Sequence, residues 1–312
     1  MIRSVSILIA THNRDELLAQ TLESLAKVRI PSGLQMDLIV VANGCTDSTF
    51  SVCQSAFPNL PIESRFVEEP ALGLSIARNR AVTESTGEVC AFLDDDVCVV
   101  PEWAEGMVEV YNAYPADIVG GPVSLWWGAV ERPDWFDAQL DSHLGYLNWG
   151  DEVIELFHPK KRIVGANFSF KREVFDKIGP FRTDLGRVGR GMMATEETEF
   201  CERALRQGAR MFYAPRMALK HWVAPQRATL DFLVKAARGS TAGRMRSKHP
   251  FGVRQFSRSF FGNSFLVVRY EIARWLAKLR GDRRAEVTCH VMRESSAAGA
   301  AECLRRALSF SR

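Results

Sequence analysis

The sequence lacks the short motifs of several common protein classes. No GxGxxG stretch follows its strand-like runs, which argues against a dinucleotide dehydrogenase, and no GxxxxGK[ST] stretch is present, which argues against a P-loop NTPase. No run approaches the roughly 18 consecutive apolar residues of a membrane-spanning helix, since the run Phe265–Val268 ends at Arg269. We therefore expect a chain that does not span a membrane by itself.

Paired cysteines and a leader segment are also missing. The seven cysteines are odd in number, scattered along the chain and without a CxxC pair, which argues against a zinc site and predicts reduced, mostly buried thiols. The N-terminus enters a strand-like run at Val5 without the basic segment, apolar stretch and cleavage site of a signal peptide. We expect a cytoplasmic protein.

The charge is divided between two regions of opposite sign. Of the 312 residues, 46% are hydrophobic and 25% charged, as in folded soluble proteins. Residues 229–312 hold 17 Lys/Arg against 6 Asp/Glu, whereas residues 1–228 hold 23 against 31. A basic tail of this kind is attracted to phosphates or to an anionic membrane surface, although a solvated helical face has the same composition.

Strand-like and helical patterns alternate in the N-terminal part. Apolar runs at Val5–Ala10, Leu38–Val41 and Val89–Leu93 each end in a polar loop, and helical patterns lie between them. This alternation predicts an α/β fold with a mostly parallel sheet flanked by helices. Ligands of such sheets gather at the carboxyl ends of the strands, where we expect the functional site.

The tail contains an amphipathic helical pattern. One helical face holds six apolar residues, namely Phe261, Phe265, Val268, Ile272, Leu276 and Leu279. Such a helix docks on the catalytic body, lies in a membrane interface with basic residues at the headgroups, or makes a homodimer. The sequence leaves these three interpretations open.

Two acidic clusters carry the chemistry. Asp94, Asp95 and Asp96 directly follow a buried strand, where adjacent carboxylates repel each other unless cations or hydrogen bonds offset the charge. Mg²⁺ or Mn²⁺, bound together with a nucleoside diphosphate, would offset this negative charge. Alternatively, the three carboxylates form an acidic loop that caps the next helix. Glu196 and Glu197 open a second helix, either as general-base candidates or as a complement to the helix dipole.

With these clusters in view, the chain resembles the family 2 glycosyltransferases of the GT-A fold over roughly residues 4–225. Five segments carry the resemblance in order, namely Val5–Arg14 for the opening strand and nucleotide loop, Val40–Asp47 for VVDNGSTD, Gly73–Asn79 for GxxxARN, Phe92–Asp96 for DxD, and Glu196–Gly208 with the downstream His221 for the EDxEL helix. One such motif would be weak, but five in order are specific. Two positions depart from the family pattern, because Ala42 replaces an acid and Glu197 replaces an aspartate.

The resemblance implies a role for each matching residue. The implied donor-binding residues are Thr11, Asn13 and Asn43 at the nucleoside, Arg78 at the base or diphosphate, Asp94 at the ribose, and Asp95 beside it. Asp96 would bind Mn²⁺ or Mg²⁺ with His221 as a second ligand or a phosphate contact. Glu197 would act as the general base, with Glu196 as the runner-up.

The resemblance also implies an architecture and a reaction. We expect a GT-A catalytic domain at 1–228, with a donor half at about 1–121 and an acceptor half at about 122–228, and a C-terminal helical extension at 229–312. The expected enzyme is inverting and moves a sugar from a UDP- or GDP-sugar to a glycan, glycolipid or other hydroxyl acceptor, without a nucleic-acid partner. The rivals are a non-catalytic interaction protein and a polyprenyl-phosphate glycosyltransferase peripheral to the inner face of the membrane.

Overall fold

A computed structural model describes residues 1–128, 130–157, 162–189, 191–248 and 252–309 of the chain. These residues form two compact units whose segments interleave along the sequence. The first unit comprises Met1–Trp126, Gly145–Thr183 and Glu196–Trp222, and the second comprises Trp127–Leu144, Asp184–Thr195 and the chain from Val223 onward. Two segments that we expected in the acceptor half therefore belong to the unit that contains the tail.

The first unit is built on a large mixed sheet and a small one. Its strands in the described residues are β1 (Ser4–Thr11), β2 (Gln35–Asn43), β3 (Glu63–Glu69), β4 (Val89–Leu93), β5 (Val97–Val99), β6 (Ile118–Gly120), β7 (Val123–Trp126), β8 (Ile154–Glu155), β9 (Asn167–Lys171), β10 (Met211–Tyr213) and β11 (Leu219–Trp222). The large sheet has the order β3-β2-β1-β4-β9-β6-β10-β8, and the small sheet has the order β5-β11-β7.

Strands β3, β2, β1 and β4 are parallel neighbours, as the three apolar runs predict. Every residue of β4 is buried, since this strand lies between β1 and β9 and is covered on both faces. Strand β9 enters antiparallel to β4 and β6, so the sheet is mixed on that side. The carboxyl ends of β1, β2 and β4 consequently lie along one edge.

Six helices of the first unit accompany the strands in the described chain. They are α1 (Asp15–Leu25), α2 (Thr49–Ala56), α3 (Leu74–Glu84), α4 (Trp103–Ala113), α5 (Arg172–Ile178) and α6 (Glu196–Arg206). The last of them begins at Glu196, as the sequence predicts. A cluster of buried aromatic rings joins β4 and β9 to α6, with Phe92 stacked on Phe168 at 5.4 Å and Phe181 stacked on Phe200 at 4.5 Å between ring centroids.

The second unit consists mainly of three helices, α7 (Leu230–Ser247), α8 (Val253–Leu279) and α9 (Arg283–Ser309). A short turn connects α8 to α9 and contains Gly281 in the left-handed region at φ 68°. The segment 184–195 packs on α7 where glycines leave room, because a Cβ on Gly239 would lie 2.2 Å from the Met192 carbonyl oxygen. No helix in the described ranges is both long enough and apolar enough to cross a bilayer.

Candidate active site

The Asp94–Asp96 segment forms the turn between β4 and β5. The side chain of Asp94 is 34% exposed, whereas those of Asp95 and Asp96 are buried. At the end of the buried strand β4, the carboxylate of Asp94 therefore lies at the surface of the site, and those of Asp95 and Asp96 lie beneath it. This placement agrees with the functional interpretation of the acidic triplet, because a helix-capping loop would not need two buried carboxylates.

His221 joins the same cluster through the small sheet. Strand β11 pairs antiparallel with β5, and the register places His221 opposite Val97, the residue after Asp96. The His221 Nε2 lies 3.1 Å from Asp96 Oδ1, and Asp94, Asp96 and His221 each offer a ligand atom within 4.8 Å of the others. Two carboxylates and one imidazole are a donor set that accepts Mn²⁺ or Mg²⁺.

Gly145 gives His221 the space that it occupies. This glycine has φ +94°, and a Cβ at its position would lie 3.2 Å from His221 Nδ1. A side chain here would strain the backbone and crowd the imidazole at the same time. No local pattern marks Gly145 as part of the site, since its partner His221 is distant along the chain.

Arg14 neutralises the two buried carboxylates. Its Nη1 lies 2.9 Å from Asp95 Oδ1 and 3.0 Å from Asp96 Oδ2, and Thr11 Oγ1 donates to Asp95 Oδ2 at 2.8 Å. Burial raises the pKa of Asp95, and the guanidinium of Arg14 opposes that shift. Arg14 is a site residue that the family resemblance does not assign, although three adjacent carboxylates require a nearby cation and Arg14 ends the Val5–Arg14 segment.

Arg78 on α3 connects the acidic triplet to the start of α6. Its Nη1 lies 2.7 Å from Glu196 Oε1, while its Nη2 lies 3.4 Å from Asp94 Oδ1 and 3.2 Å from the Gly165 carbonyl oxygen. Burial opposes the charge, but the carboxylates of Glu196 and Asp94 outweigh it and raise the pKa of Arg78. Arg78 therefore remains a cation inside the protein.

Glu196 and Glu197 have different surroundings although they are adjacent. Glu196 is 1% exposed and pairs with the buried Arg78. Glu197 is half-buried, lies beside the Gly165 loop, and accepts a hydrogen bond from Thr198 Oγ1 at 3.2 Å. Of the two carboxylates, Glu197 is the more accessible to an incoming hydroxyl group.

Asn43 and Asn13 use their amides within the loops. The Asn43 Nδ2 donates to the carbonyl oxygens of Glu69 and Ala71 at 3.0 and 2.7 Å, and its Oδ1 accepts from Gly73 N at 2.8 Å. The Asn13 Oδ1 accepts from Thr46 N at 2.7 Å, and Asn13 itself has φ 51°. Asn43 thus orders the loop that leads into α3, and its contact with the nucleoside stays a prediction.

The chain matches known proteins along most of its length. The sequence model of Glycosyl transferase family 2 matches residues 6–179. The chain is 30% identical over 237 residues to the glucosyl-dolichyl phosphate glucuronosyltransferase of Haloferax volcanii, covering 74% of this chain and 72% of that protein. It is 29% identical over 254 residues to the succinoglycan biosynthesis protein ExoM of Rhizobium meliloti, covering 80% and 78%.

Two solved structures have a similar fold. The mannosyltransferase PcManGT from Pyrobaculum calidifontis, in complex with GDP-Man and Mn²⁺, superposes with a TM-score of 0.56 at 18% identity, covering 99% of this chain and 80% of that one. Residues 1–349 of S. aureus TarS, in complex with UDP, superpose with a TM-score of 0.53 at 16% identity, covering 94% and 90%. At these identities the likeness concerns the fold alone.

Proposed function

Because the chain belongs to glycosyl transferase family 2 and has the GT-A fold, as predicted, we propose that it is an inverting, metal-dependent sugar transferase. Its substrates are a nucleoside-diphosphate sugar and an acceptor hydroxyl group. The observation that carries the proposal is the convergence of Asp94, Asp96 and His221 with the start of α6, connected by the buried Arg78. Through Arg78, the partly exposed Asp94 is joined to Glu196, the residue next to Glu197 at the start of α6.

The donor set at the end of β4 fits a divalent cation. Asp96 and His221 would hold Mn²⁺ or Mg²⁺, and Asp94, which is partly exposed, would face the ribose of the donor. A bound cation supplies positive charge near the departing diphosphate. Arg14 holds the side chains of Asp95 and Asp96 in place, since its guanidinium contacts both.

Glu197 is the general base in this proposal. Its carboxylate takes the proton from the acceptor hydroxyl while that oxygen forms a bond to the anomeric carbon. The bond from the anomeric carbon to the diphosphate breaks on the opposite face, so the configuration inverts. Glu196, our alternative base, is a positioning residue instead, because its carboxylate is committed to Arg78 at 2.7 Å.

The loops after β1 and β2 form the nucleoside side of the site. Thr11 and Asn43 act there mainly by shape, since each side chain already bonds within the protein, to Asp95 and to the loop before α3. The two solved structures of similar fold contain GDP-Man and UDP, so GDP and UDP are the first nucleotides to test. The two similar proteins, a glucosyl-dolichyl phosphate glucuronosyltransferase and a succinoglycan biosynthesis protein, favour an acceptor on a lipid-linked glycan or a polysaccharide.

A thermal-shift screen tests the donor site. UDP, GDP, CMP and dTDP are added with and without Mn²⁺ to the wild type and to Asp96→Ala, because a specific ligand stabilises the folded state by mass action. We expect a Mn²⁺-dependent rise in melting temperature with UDP or GDP, and no such rise in Asp96→Ala. A wild type that responds to no nucleotide would support the rival interpretation, a non-catalytic interaction protein.

A further inference from the structure

Helix α8 exposes a continuous apolar stripe. The stripe consists of Phe261, Phe265, Val268, Ile272, Trp275, Leu276 and Leu279. Apart from the adjacent Trp275 and Leu276, its members recur every three or four residues, so the stripe lies on one face of the helix. Phe261, Phe265 and Leu279 are 65 to 67% exposed, which is unusual for a whole row of large apolar side chains in a folded protein.

The stripe is not the face by which α8 is held in the second unit. Ser259 and Ala277 of α8 are buried, and Asn263 is so close to α9 that a Cβ on Gly299 would lie 2.7 Å from its Oδ1. Phe256 and Phe260 pack against a small core that contains Met245 and Cys303. Because these contacts already anchor the helix, the stripe is free to meet another partner.

The stripe is bordered by positive charge. The exposed basic residues from the start of α8 to the start of α9 are Arg254, Arg258, Arg269, Lys278, Arg280, Arg283 and Arg284. Of the two exposed acids in this stretch, Glu271 pairs with Arg293 at 3.1 Å, and Asp282 accepts a hydrogen bond from Ala285 N at 3.0 Å. Arg258, Arg269 and Lys278 have no ion-pair partner among the described residues.

An apolar stripe bordered by positive charge fits a partner that offers both apolar and anionic groups. A second copy of the same face would bring like charges together around the apolar contact, which disfavours self-association. An anionic bilayer offers both an apolar boundary for phenyl and indole rings and phosphates for the arginines. We propose that α8 lies in the plane of an anionic membrane, with its apolar stripe at the acyl boundary and its arginines at the headgroups.

The proposal concerns α8 alone and does not depend on the reaction proposed above. It would place the enzyme beside acceptors that are anchored in lipid. Because binding to vesicles is measured without turnover, an inactive protein can still bind them. An active enzyme can equally fail to bind, so the two proposals fail separately.

Vesicle sedimentation with the full chain tests the proposal. Vesicles of phosphatidylcholine, with and without phosphatidylglycerol, are incubated with the wild type, with Phe261→Ser/Phe265→Ser and with Arg258→Glu/Arg269→Glu. The matched control is Phe157→Ser, which removes a phenyl ring that is 80% exposed in the first unit. Far-UV circular dichroism verifies that each variant is folded.

We expect the wild type and Phe157→Ser to bind the anionic vesicles at low salt and to be released at high salt. Each double variant should bind at least about 10-fold more weakly, because it loses buried apolar area or headgroup attraction. A wild type that ignores anionic vesicles at low salt would overturn the proposal. Double variants that bind vesicles as tightly as the wild type would also overturn it. The same holds if no form binds vesicles and the wild type is a dimer that becomes monomeric in Phe261→Ser/Phe265→Ser.

Discussion

The first unit buries charged side chains, whereas the second unit exposes aromatic ones. The buried charges, each at most 5% exposed and each with a partner of opposite charge, are Asp95, Asp96, Glu196 and Arg78. The exposed rings, each more than 60% exposed, are those of Phe261, Phe265 and Trp275. Both arrangements are costly for a fold that has no use for them, because burying charge and exposing aromatic surface each oppose folding. Each unit therefore departs from ordinary packing at the place where we propose that it meets a ligand or a partner.

The largest expected effect is a loss of turnover that distinguishes Glu197 from its neighbour Glu196. Glu197→Gln should lower kcat about 10²–10⁴-fold and leave donor binding nearly unchanged, since the amide cannot accept the hydroxyl proton. The measurement is steady-state transfer together with nucleotide titration. Unchanged kcat in Glu197→Gln would remove this residue from the base position, and loss in Glu196→Gln alone would move the role there.

The second prediction compares phenylalanines in the two units. Phe168→Ala should lower the free energy of unfolding by about 3–5 kcal/mol, because Phe168 is fully buried in the aromatic cluster of β4 and β9. Phe265→Ala should change the free energy of unfolding by less than about 0.5 kcal/mol, because Phe265 is 67% exposed. Urea titrations measure both. A large loss in Phe265→Ala would mean that the stripe packs within the fold.

Glu196→Gln tests whether the buried ion pair supports the first unit. The change removes the charge that pairs with Arg78 at 2.7 Å and leaves the longer contacts to Asp94 and to the Gly165 carbonyl oxygen, so we expect the free energy of unfolding to fall by about 3 kcal/mol. Glu197→Gln is the matched control, since Glu197 is half-buried and accepts a hydrogen bond from its neighbour Thr198. Equal stability of the two variants in urea would show that Arg78 does not need Glu196.

The smallest expected effect concerns two glycines with similar backbones. Gly145 has φ +94° and Gly150 has φ +100°, so alanine at either position should cost about 1 kcal/mol of stability. Only at Gly145 would the new Cβ meet a neighbour, His221, since nothing lies within 4 Å of the Cβ position at Gly150. Gly145→Ala should therefore weaken Mn²⁺-dependent nucleotide binding, and Gly150→Ala should not. Equal nucleotide affinities in the two variants would contradict a role for the His221 position.

The parallel part of the sheet, with the edge that holds the candidate site, could be predicted because its signals are local. The apolar runs of β1, β2 and β4 are continuous, and a buried parallel strand requires such a run. The pairing of Arg78 with Glu196 could not be predicted, since the two lie 118 residues apart and depend on how α6 meets α3. His221 was found by resemblance, but its register beside Val97 rests on strands of three and four residues, too short to show a clear pattern.

The division of the chain was equally hidden from the sequence. The charge change near residue 229 marks the basic helices but not the segments 127–144 and 184–195, which fold with them. The attachment of the segment 184–195 depends on close approaches at Gly239 and Gly243 of α7, where Met192 and Thr195 pack. Composition cannot report contacts of that kind, because they follow from backbone proximity between distant segments.

Release of nucleoside diphosphate from a panel of UDP- and GDP-sugars is the most direct test of the proposed donor site. The wild type and Asp96→Ala are compared with and without Mn²⁺, after circular dichroism has verified that both are folded. The account predicts Mn²⁺-dependent release from one class of donor by the wild type and none by Asp96→Ala. Release that proceeds equally in Asp96→Ala, or without any divalent cation, would contradict it.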